Sequence, residues 1–129
     1  MQDDRILVVD DQHDNVAIIR DFLLSKGYDV TVAHSGEEAL VRFDETDPCL
    51  VLLDVMMPDR NGWEVCEAIK QRSRGAHEVR VIMVTALGEW DDKREALRTG
   101  ADDYVTKPVD LLDLGQRVER NLAIVREGR

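Results

Sequence analysis

Residues 50–62 read LVLLDVMMPDRNG, and this stretch decides the fold class of the chain. Its first four residues are apolar without interruption, which is typical of a strand buried on both faces of a parallel sheet. The apolar run ends at Asp54, and Pro58 and Gly62 then predict a loop that leads into a helix. The stretch therefore indicates one strand–loop–helix unit of an α/β protein.

Similar apolar runs recur before and after it, at residues 6–9, 30–33, 79–84 and, more weakly, 103–105. Segments with helical spacing of apolar residues separate these runs. The expected helices contain Val16, Ile19 and Leu23; Leu40 and Phe43; Trp63, Cys66 and Ile69; residues 93–99; and Leu111, Leu114, Val118, Leu122 and Val125. Five βα units joined by right-handed crossovers predict one parallel sheet with helices on both faces.

Several chain features mark where these helices begin and end. Ser35 and Glu38 form a capping box before the second helix, Lys26-Gly27 ends the first, and Gly100 closes the fourth. Asp59 follows Pro58 and is assigned to a turn. His13, His34 and His77 share no ligand spacing and are interpreted as surface or capping residues.

Composition limits the class of protein. The chain has 129 residues, 43% hydrophobic and 34% charged, with a net charge of −10. This size suits one domain, and we expect a single domain over residues 1–129 with no linker. The negative charge opposes nonspecific binding to nucleic acid or anionic lipid. No export signal or membrane span is visible, and Cys49 and Cys66 have no metal-like spacing, so we expect a cytoplasmic protein with reduced core thiols.

The polar residues that end the strands indicate where the chemistry lies, because ligands bind at the carboxyl ends of parallel strands. These residues are Asp10-Asp11 after strand one, Asp54 after strand three, Thr85-Ala86 after strand four and Lys107-Pro108 after strand five. Three carboxylates held together repel one another unless a cation lies among them, and hard oxygen ligands suit Mg²⁺. A carboxylate can also attack phosphorus, while an ammonium and a hydroxyl bind phosphoryl oxygens. The set is chemically complete for accepting a phosphoryl group.

Over about residues 4 to 122 the sequence resembles the receiver domains of two-component response regulators, including chemotaxis-regulator-like proteins. Residues 50–62 are similar to the family pattern of strand, Asp, Met-Pro and Gly. The acid pair, Thr-Ala and Lys-Pro match in the same order, and the joint match is very specific. The resemblance implies a doubly wound (βα)5, flavodoxin-like fold with strand order 2-1-3-4-5.

The resemblance also implies a role for each residue of the site. Asp54 would be the phosphoacceptor, and Asp10, Asp11, Asp54 and the backbone carbonyl of Met56 would hold Mg²⁺. Lys107 would bind the phosphoryl group, and the small Ala86 would leave its approach open. Thr85 and Tyr104 would form the conformational switch, and the bond before Pro108 is a candidate cis peptide.

The implied partners are a histidine kinase or phosphotransfer protein and a downstream output domain or target. A homodimer through the fourth helix, fifth strand and fifth helix is also possible in such a family. Trp90, before the fourth helix, either closes the core or lies exposed on that surface, and the sequence favours neither. Met56 and Leu87 are both apolar, and from them we expect slow self-hydrolysis of the phosphorylated form.

Other readings are weaker. Taken alone, each site residue would be interpreted as a helix cap, a surface charge or a residue at the edge of the core. Only their occurrence together indicates a phosphoryl-accepting site. An aspartate-nucleophile phosphatase would need a second Asp two residues after the nucleophile, where Met56 stands. A nucleotide-binding module would need a glycine-rich loop after strand one, where Asp10-Asp11-Gln12 stands. A receiver that only docks without phosphorylation remains an alternative.

Overall fold

The computed structural model describes residues 4–72, 79–86 and 98–127. Five parallel strands form one sheet in the order β2-β1-β3-β4-β5. They are β1 (Arg5–Val9), β2 (Asp29–Ala33), β3 (Leu50–Asp54), β4 (Arg80–Ala86) and β5 (Asp103–Lys107). The predicted fold class and strand order are confirmed.

Four helices of the described residues cover the two faces of this sheet. They are α1 (His13–Ser25), α2 (Gly36–Thr46), α3 (Gly62–Arg72) and the C-terminal helix (Leu111–Glu127). The apolar residues of α2 and α3 pack on one face, and those of α1 and the C-terminal helix pack on the other. Two separate apolar layers therefore enclose the sheet, as a doubly wound fold requires.

The predicted fourth helix falls mostly outside the described residues. Arg98 and Thr99 are helical, and Gly100 follows with a φ of 88°, a left-handed conformation that suits the end of a helix. Leu87 and Trp90 lie outside the described residues as well. Among the residues that are described, no helix is both long enough and apolar enough to cross a membrane.

The central strand β3 determines where the site lies. All its residues are buried, and it pairs with β1 on one side and β4 on the other. Its last residue, Asp54, therefore stands at the carboxyl end of the middle strand, which we call the carboxyl edge of the sheet. The Asp54 carboxylate therefore ends an apolar strand and is almost fully buried.

Strand β5 is longer than its apolar residues indicate. Thr106 and Lys107 pair with Thr85 and Ala86 of β4, so the ladder continues two residues beyond Val105. The prediction ended at Val105 because the next two residues are polar. Backbone pairing with β4 extends the strand and brings Lys107 to the carboxyl edge.

The predicted capping box of α2 is present with one bond shifted. Ser35 Oγ accepts a hydrogen bond from the Glu38 amide at 3.1 Å, whereas Glu38 Oε1 accepts from the amide of His34, the residue before the N-cap, at 2.8 Å. The Ser35 cap satisfies one of the backbone donors that the helix leaves unpaired. It fixes the start of α2 beside the carboxyl edge.

Candidate functional site

Three carboxylates meet at the carboxyl edge. One oxygen from each of Asp10, Asp11 and Asp54 lies within 4.8 Å of the other two. Asp10 and Asp54 are each only 3% exposed, and Asp11 is half-buried. Within the described part of the chain this is the cluster of acidic side chains that could hold a metal ion. The sheet thus brings together the three acids predicted as ligands.

Lys107 reaches into this cluster from the end of β5. Its Nζ lies 3.2 Å from Asp54 Oδ1 and 3.7 Å from Asp10 Oδ2, and its side chain is 29% exposed. The ammonium offsets part of the repulsion between the two buried acids. A single cation can offset only part of the charge of three carboxylates, and the site keeps a net negative charge that attracts a further cation.

The pKa of Asp54 is raised to about 6, chiefly by burial and next by the nearby charge of Asp10. The Lys107 ammonium and the Met56 amide, which donates to Asp54 Oδ1 at 3.4 Å, oppose this rise. The free-energy cost of desolvating the ionised Asp54 carboxylate exceeds the stabilisation that Lys107 and the Met56 amide give it. A divalent cation would reverse that balance, because it favours the ionised form.

Asp10 is oriented by the chain that follows it. Its Oδ1 accepts a hydrogen bond from the Gln12 amide at 2.9 Å, which leaves Oδ2 toward Lys107. Gln12 is the N-cap residue of α1, and its side chain makes no capping hydrogen bond. The turn into α1 therefore holds the first acid in place with a backbone amide.

The hydroxyl predicted for this site lies at the end of β4. Asp54 pairs with Val84 across the β3–β4 ladder, so Thr85 is one residue further toward the carboxyl edge, and it is buried. Ala86 follows as the last residue of β4 and pairs with Lys107. Thr85, the last residue but one of β4, and Lys107, the last residue of β5, thus lie on neighbouring strands on the same side of Asp54.

Tyr104 lies on β5 opposite Met83, and it is 44% exposed. Its side chain is therefore partly open to solvent. The Lys107–Pro108 peptide bond is cis.

The loop after β3, residues 55–61, is closed at its base. Gly62 donates to the Val55 carbonyl at 2.8 Å, and Met56 and Asn61 form an isolated antiparallel bridge. A side chain at Gly62 would collide with the backbone oxygen of Asp54 and with Val55. The glycine lets the helix start pack directly against the phosphoacceptor candidate.

Two arrangements near the site were not predicted from the sequence. Asp59, assigned to a turn, caps α2 by accepting from the Gly36 and Glu37 amides, both at 3.0 Å. The rings of His13 and His34, interpreted as separate surface or capping residues, stack at 3.8 Å with 2° between their planes. Each contact joins residues far apart in sequence, and no local pattern marks it.

The donor set fits a hard divalent cation. Carboxylate oxygens are the ligands that Mg²⁺ prefers, and ligand oxygens at about 2.1 Å from one ion lie roughly 3 to 4 Å apart. One oxygen from each of Asp10, Asp11 and Asp54 lies within 4.8 Å of the other two, so these three side chains would hold such an ion.

Comparison with known proteins gives a consistent result. A family model described as "Response regulator receiver domain" matches residues 6–119. The chain is 44% identical over 117 residues to proteins named "Probable transcriptional regulator ycf27" from Porphyra purpurea and from Pyropia yezoensis. These matches cover 91% of this chain and 46% of each relative, so the chain spans about half the length of the curated relatives it matches.

Solved structures show the same fold. A receiver domain protein from Methanospirillum hungatei, described as CheY-like, superposes with a TM-score of 0.88 at 30% identity, over 95% of this chain and 96% of that one. The receiver domain of NtrX from Brucella abortus superposes with a TM-score of 0.83 at 29% identity, over 92% of this chain and 98% of that one.

Proposed function

Because this chain belongs to the response regulator receiver domain family, we propose that it accepts a phosphoryl group on Asp54 from a histidine kinase or phosphotransfer protein, with Mg²⁺ bound beside it. The observation that carries the proposal is the buried Asp54 carboxylate between two further acids and the Lys107 ammonium. A buried, desolvated carboxylate is a better nucleophile than a solvated one, and its neighbours can stabilise a phosphoryl group.

In the proposed reaction, an Asp54 carboxylate oxygen forms a bond to phosphorus as the bond from phosphorus to the donor imidazole nitrogen breaks. Lys107 moves its ion pair from the carboxylate to a phosphoryl oxygen, and Thr85 donates a hydrogen bond to another. When bound, Mg²⁺ supplies charge that offsets the transferring oxygens. Asp10, Asp11 and the Met56 carbonyl would hold it there with Asp54.

We propose that the signal then leaves the site through Thr85 and Tyr104. Tyr104 is partly exposed, so an inward rotation would bury its ring and change the surface around β5. That change biases binding of a partner, which is an output domain, a target protein or a second copy through the fourth helix, β5 and the C-terminal helix. The family match and the longer relatives, named as transcriptional regulators, support an output partner.

Reset would occur by water attack on the phosphoryl group. Met56 has no hydrogen-bonding side chain that could position a water, although it is 67% exposed beside the site, and Leu87 is apolar as well. We therefore propose slow self-hydrolysis. A phosphorylated form that decays in seconds rather than many minutes would contradict this.

The test is incubation with acetyl phosphate and Mg²⁺, followed by intact-protein mass spectrometry. The wild-type chain should gain the mass of one phosphoryl group, and Asp54→Asn should gain none while keeping its circular dichroism spectrum. Asp21→Asn, which changes an exposed acid of α1 outside the cluster, is the matched control and should still be labelled. Full labelling of Asp54→Asn would exclude Asp54 as the acceptor, and no labelling of the wild type would favour a docking-only receiver.

A further inference from the structure

The loop at residues 55–61 carries Met56 and projects beyond the carboxyl edge. Its base is fixed by the Gly62–Val55 hydrogen bond and the bridge between Met56 and Asn61. Met57 packs against the apolar layer of α2 and α3, whereas Met56, Pro58 and Asp59 are exposed. The exposed part of the loop is held by polar contacts.

Those contacts come from the start of α2. Both carboxylate oxygens of Asp59 are used, because Oδ1 accepts from the Gly36 amide and Oδ2 from the Glu37 amide, each at 3.0 Å. Arg60, the next residue, places its guanidinium Nη2 2.6 Å from Glu37 Oε1. Two neighbouring loop residues are therefore tied to two neighbouring residues of one helix end.

Gly36 makes this approach possible. A Cβ atom there would lie 2.8 Å from the Cβ of Arg60 and 3.1 Å from a methyl group of Val65. Any side chain at this position would push the loop away from α2. The glycine thus provides a second, independent sign that the loop and the helix end are built to fit each other.

We propose that Asp59 is a positioning residue of the metal site: by capping α2 it holds the Met56 loop in place and so strengthens Mg²⁺ binding. This inference rests on the proposed function, in which the Met56 carbonyl is a metal ligand. Fixing a ligand before the ion arrives lowers the entropy lost on binding. Asp59 touches neither the metal nor the phosphoryl group, and it acts only through the loop.

A purely structural role would be different. Asp59 would then stabilise α2 alone, as Ser35 already does by accepting from the Glu38 amide at the same helix end. Ser35 belongs to the segment before α2, and its side chain accepts from Glu38 of the helix, whereas Asp59 belongs to the 55–61 loop. Comparing variants of the two caps therefore distinguishes an effect on the stability of α2 from an effect on the position of the loop.

The experiment compares Asp59→Ala with Ser35→Ala in the full chain. Mg²⁺ is titrated while tryptophan fluorescence is recorded, since Trp63 lies buried at the end of this loop. Melting temperature and hydrogen exchange of the amides in residues 55–62 are measured without metal. Both variants should melt a few degrees lower, because each loses a cap on the same helix.

Only Asp59→Ala should also raise the Kd for Mg²⁺, by about threefold to tenfold, below the roughly 10- to 100-fold typical of groups bonded directly to a metal ligand. Its 55–62 amides should exchange faster than those of the wild type, and those of Ser35→Ala should not. Asp59→Asn keeps one acceptor oxygen and should lie between Asp59→Ala and the wild type.

An unchanged Kd in Asp59→Ala would overturn the proposal, and so would an equal rise in Ser35→Ala. A wild-type chain that binds no Mg²⁺ would instead overturn the proposed function. If the wild type binds no Mg²⁺, hydrogen exchange still tests the clamp, by which we mean the hydrogen bonds from Gly36 and Glu37 to Asp59. Unchanged exchange of the 55–62 amides in Asp59→Ala would refute that clamp. The two failures are therefore distinguishable.

Discussion

Lys107 Nζ lies 3.2 Å from Asp54 Oδ1, although the two residues end different strands with β4 between them. The contact joins a partly exposed ammonium to an almost fully buried carboxylate. The ion pair stabilises the buried, ionised form of Asp54. It also places a cation where phosphoryl oxygens would lie in the proposed reaction. Stability and proposed chemistry thus depend on the same ion pair.

The pKa of Asp54 predicts how stability varies with pH. In the folded chain burial and Asp10 raise it to about 6, above the ordinary value of 3.8, so the folded state binds more protons between these values. The contribution of Asp54 to the free energy of unfolding without metal should therefore fall as pH rises from about 4 to about 6, and level off above that.

Asp54→Asn removes the titrating group, so the difference between variant and wild type isolates it from every other acid. Urea unfolding across this pH window should show the variant gaining stability relative to the wild type as pH rises. A difference that stays constant with pH would contradict the prediction. The same series with excess Mg²⁺ should stabilise the wild type more at the high-pH end, because Mg²⁺ favours the ionised carboxylate.

Replacing Lys107 by Met should slow phosphorylation by acetyl phosphate by about 100-fold, the usual loss when one donor to a developing oxyanion is removed. The variant also loses the cation that lowers the pKa of Asp54, so less of the nucleophile is ionised near neutral pH. Rates are measured by mass spectrometry at saturating Mg²⁺. Lys26→Met, on the exposed end of α1, is the control and should keep the wild-type rate; an unchanged rate in Lys107→Met would refute the role assigned here.

Two glycine-to-alanine changes should act in opposite directions. At Gly62 the new methyl group would collide with the Asp54 and Val55 backbone, and we expect a loss of about 3 kcal/mol, the upper part of the range for overpacking. At Gly115 it would meet only the edge of the half-buried Phe22 ring, at 3.1 Å. The ring can move, so the higher helix propensity of alanine should stabilise the chain by about 0.5 kcal/mol. Thermal and urea unfolding of both variants test this, and destabilisation by Gly115→Ala would show that the ring is fixed.

Asp102 should matter more than an ordinary surface acid. It is 14% exposed, and it accepts from Lys70 Nζ at 2.6 Å and from the Val81 amide at 2.8 Å. Asp102→Asn leaves a half-buried ammonium poorly paired and should cost about 2 kcal/mol. Glu67→Gln breaks the exposed pair with Arg98 and should cost less than about 0.5 kcal/mol. Equal losses in urea unfolding would contradict this ranking.

The sequence predicted the site more completely than it predicted the contacts around it. Asp10, Asp54 and Lys107 follow from strand ends, because parallel strands deliver their carboxyl ends to one edge whatever the loops do. The end of β5 was set too early, since Thr106 and Lys107 are polar and only pairing with β4 shows that they extend the strand. The polarity of a residue indicates whether its side chain is exposed, whereas backbone pairing with the neighbouring strand determines how long the strand is.

Asp59 shows the limit of local patterns. An acid after Pro58 indicates a turn, and nothing nearby in sequence reveals that Gly36 and Glu37 donate to it. The stacking of His13 on His34 is hidden in the same way. Such contacts arise only when helix starts and loops meet at the carboxyl edge.

The sequence by itself determined the strand–helix alternation, the doubly wound class and the identity of the acids, hydroxyl and ammonium at the strand ends. It could do so because these features are periodic or local. The tertiary structure alone decided the 3.2 Å ion pair, the burial that raises the pKa of Asp54 and the clamp between Asp59 and α2. Distance and desolvation depend on residues that are remote in the chain, and only folding brings them together.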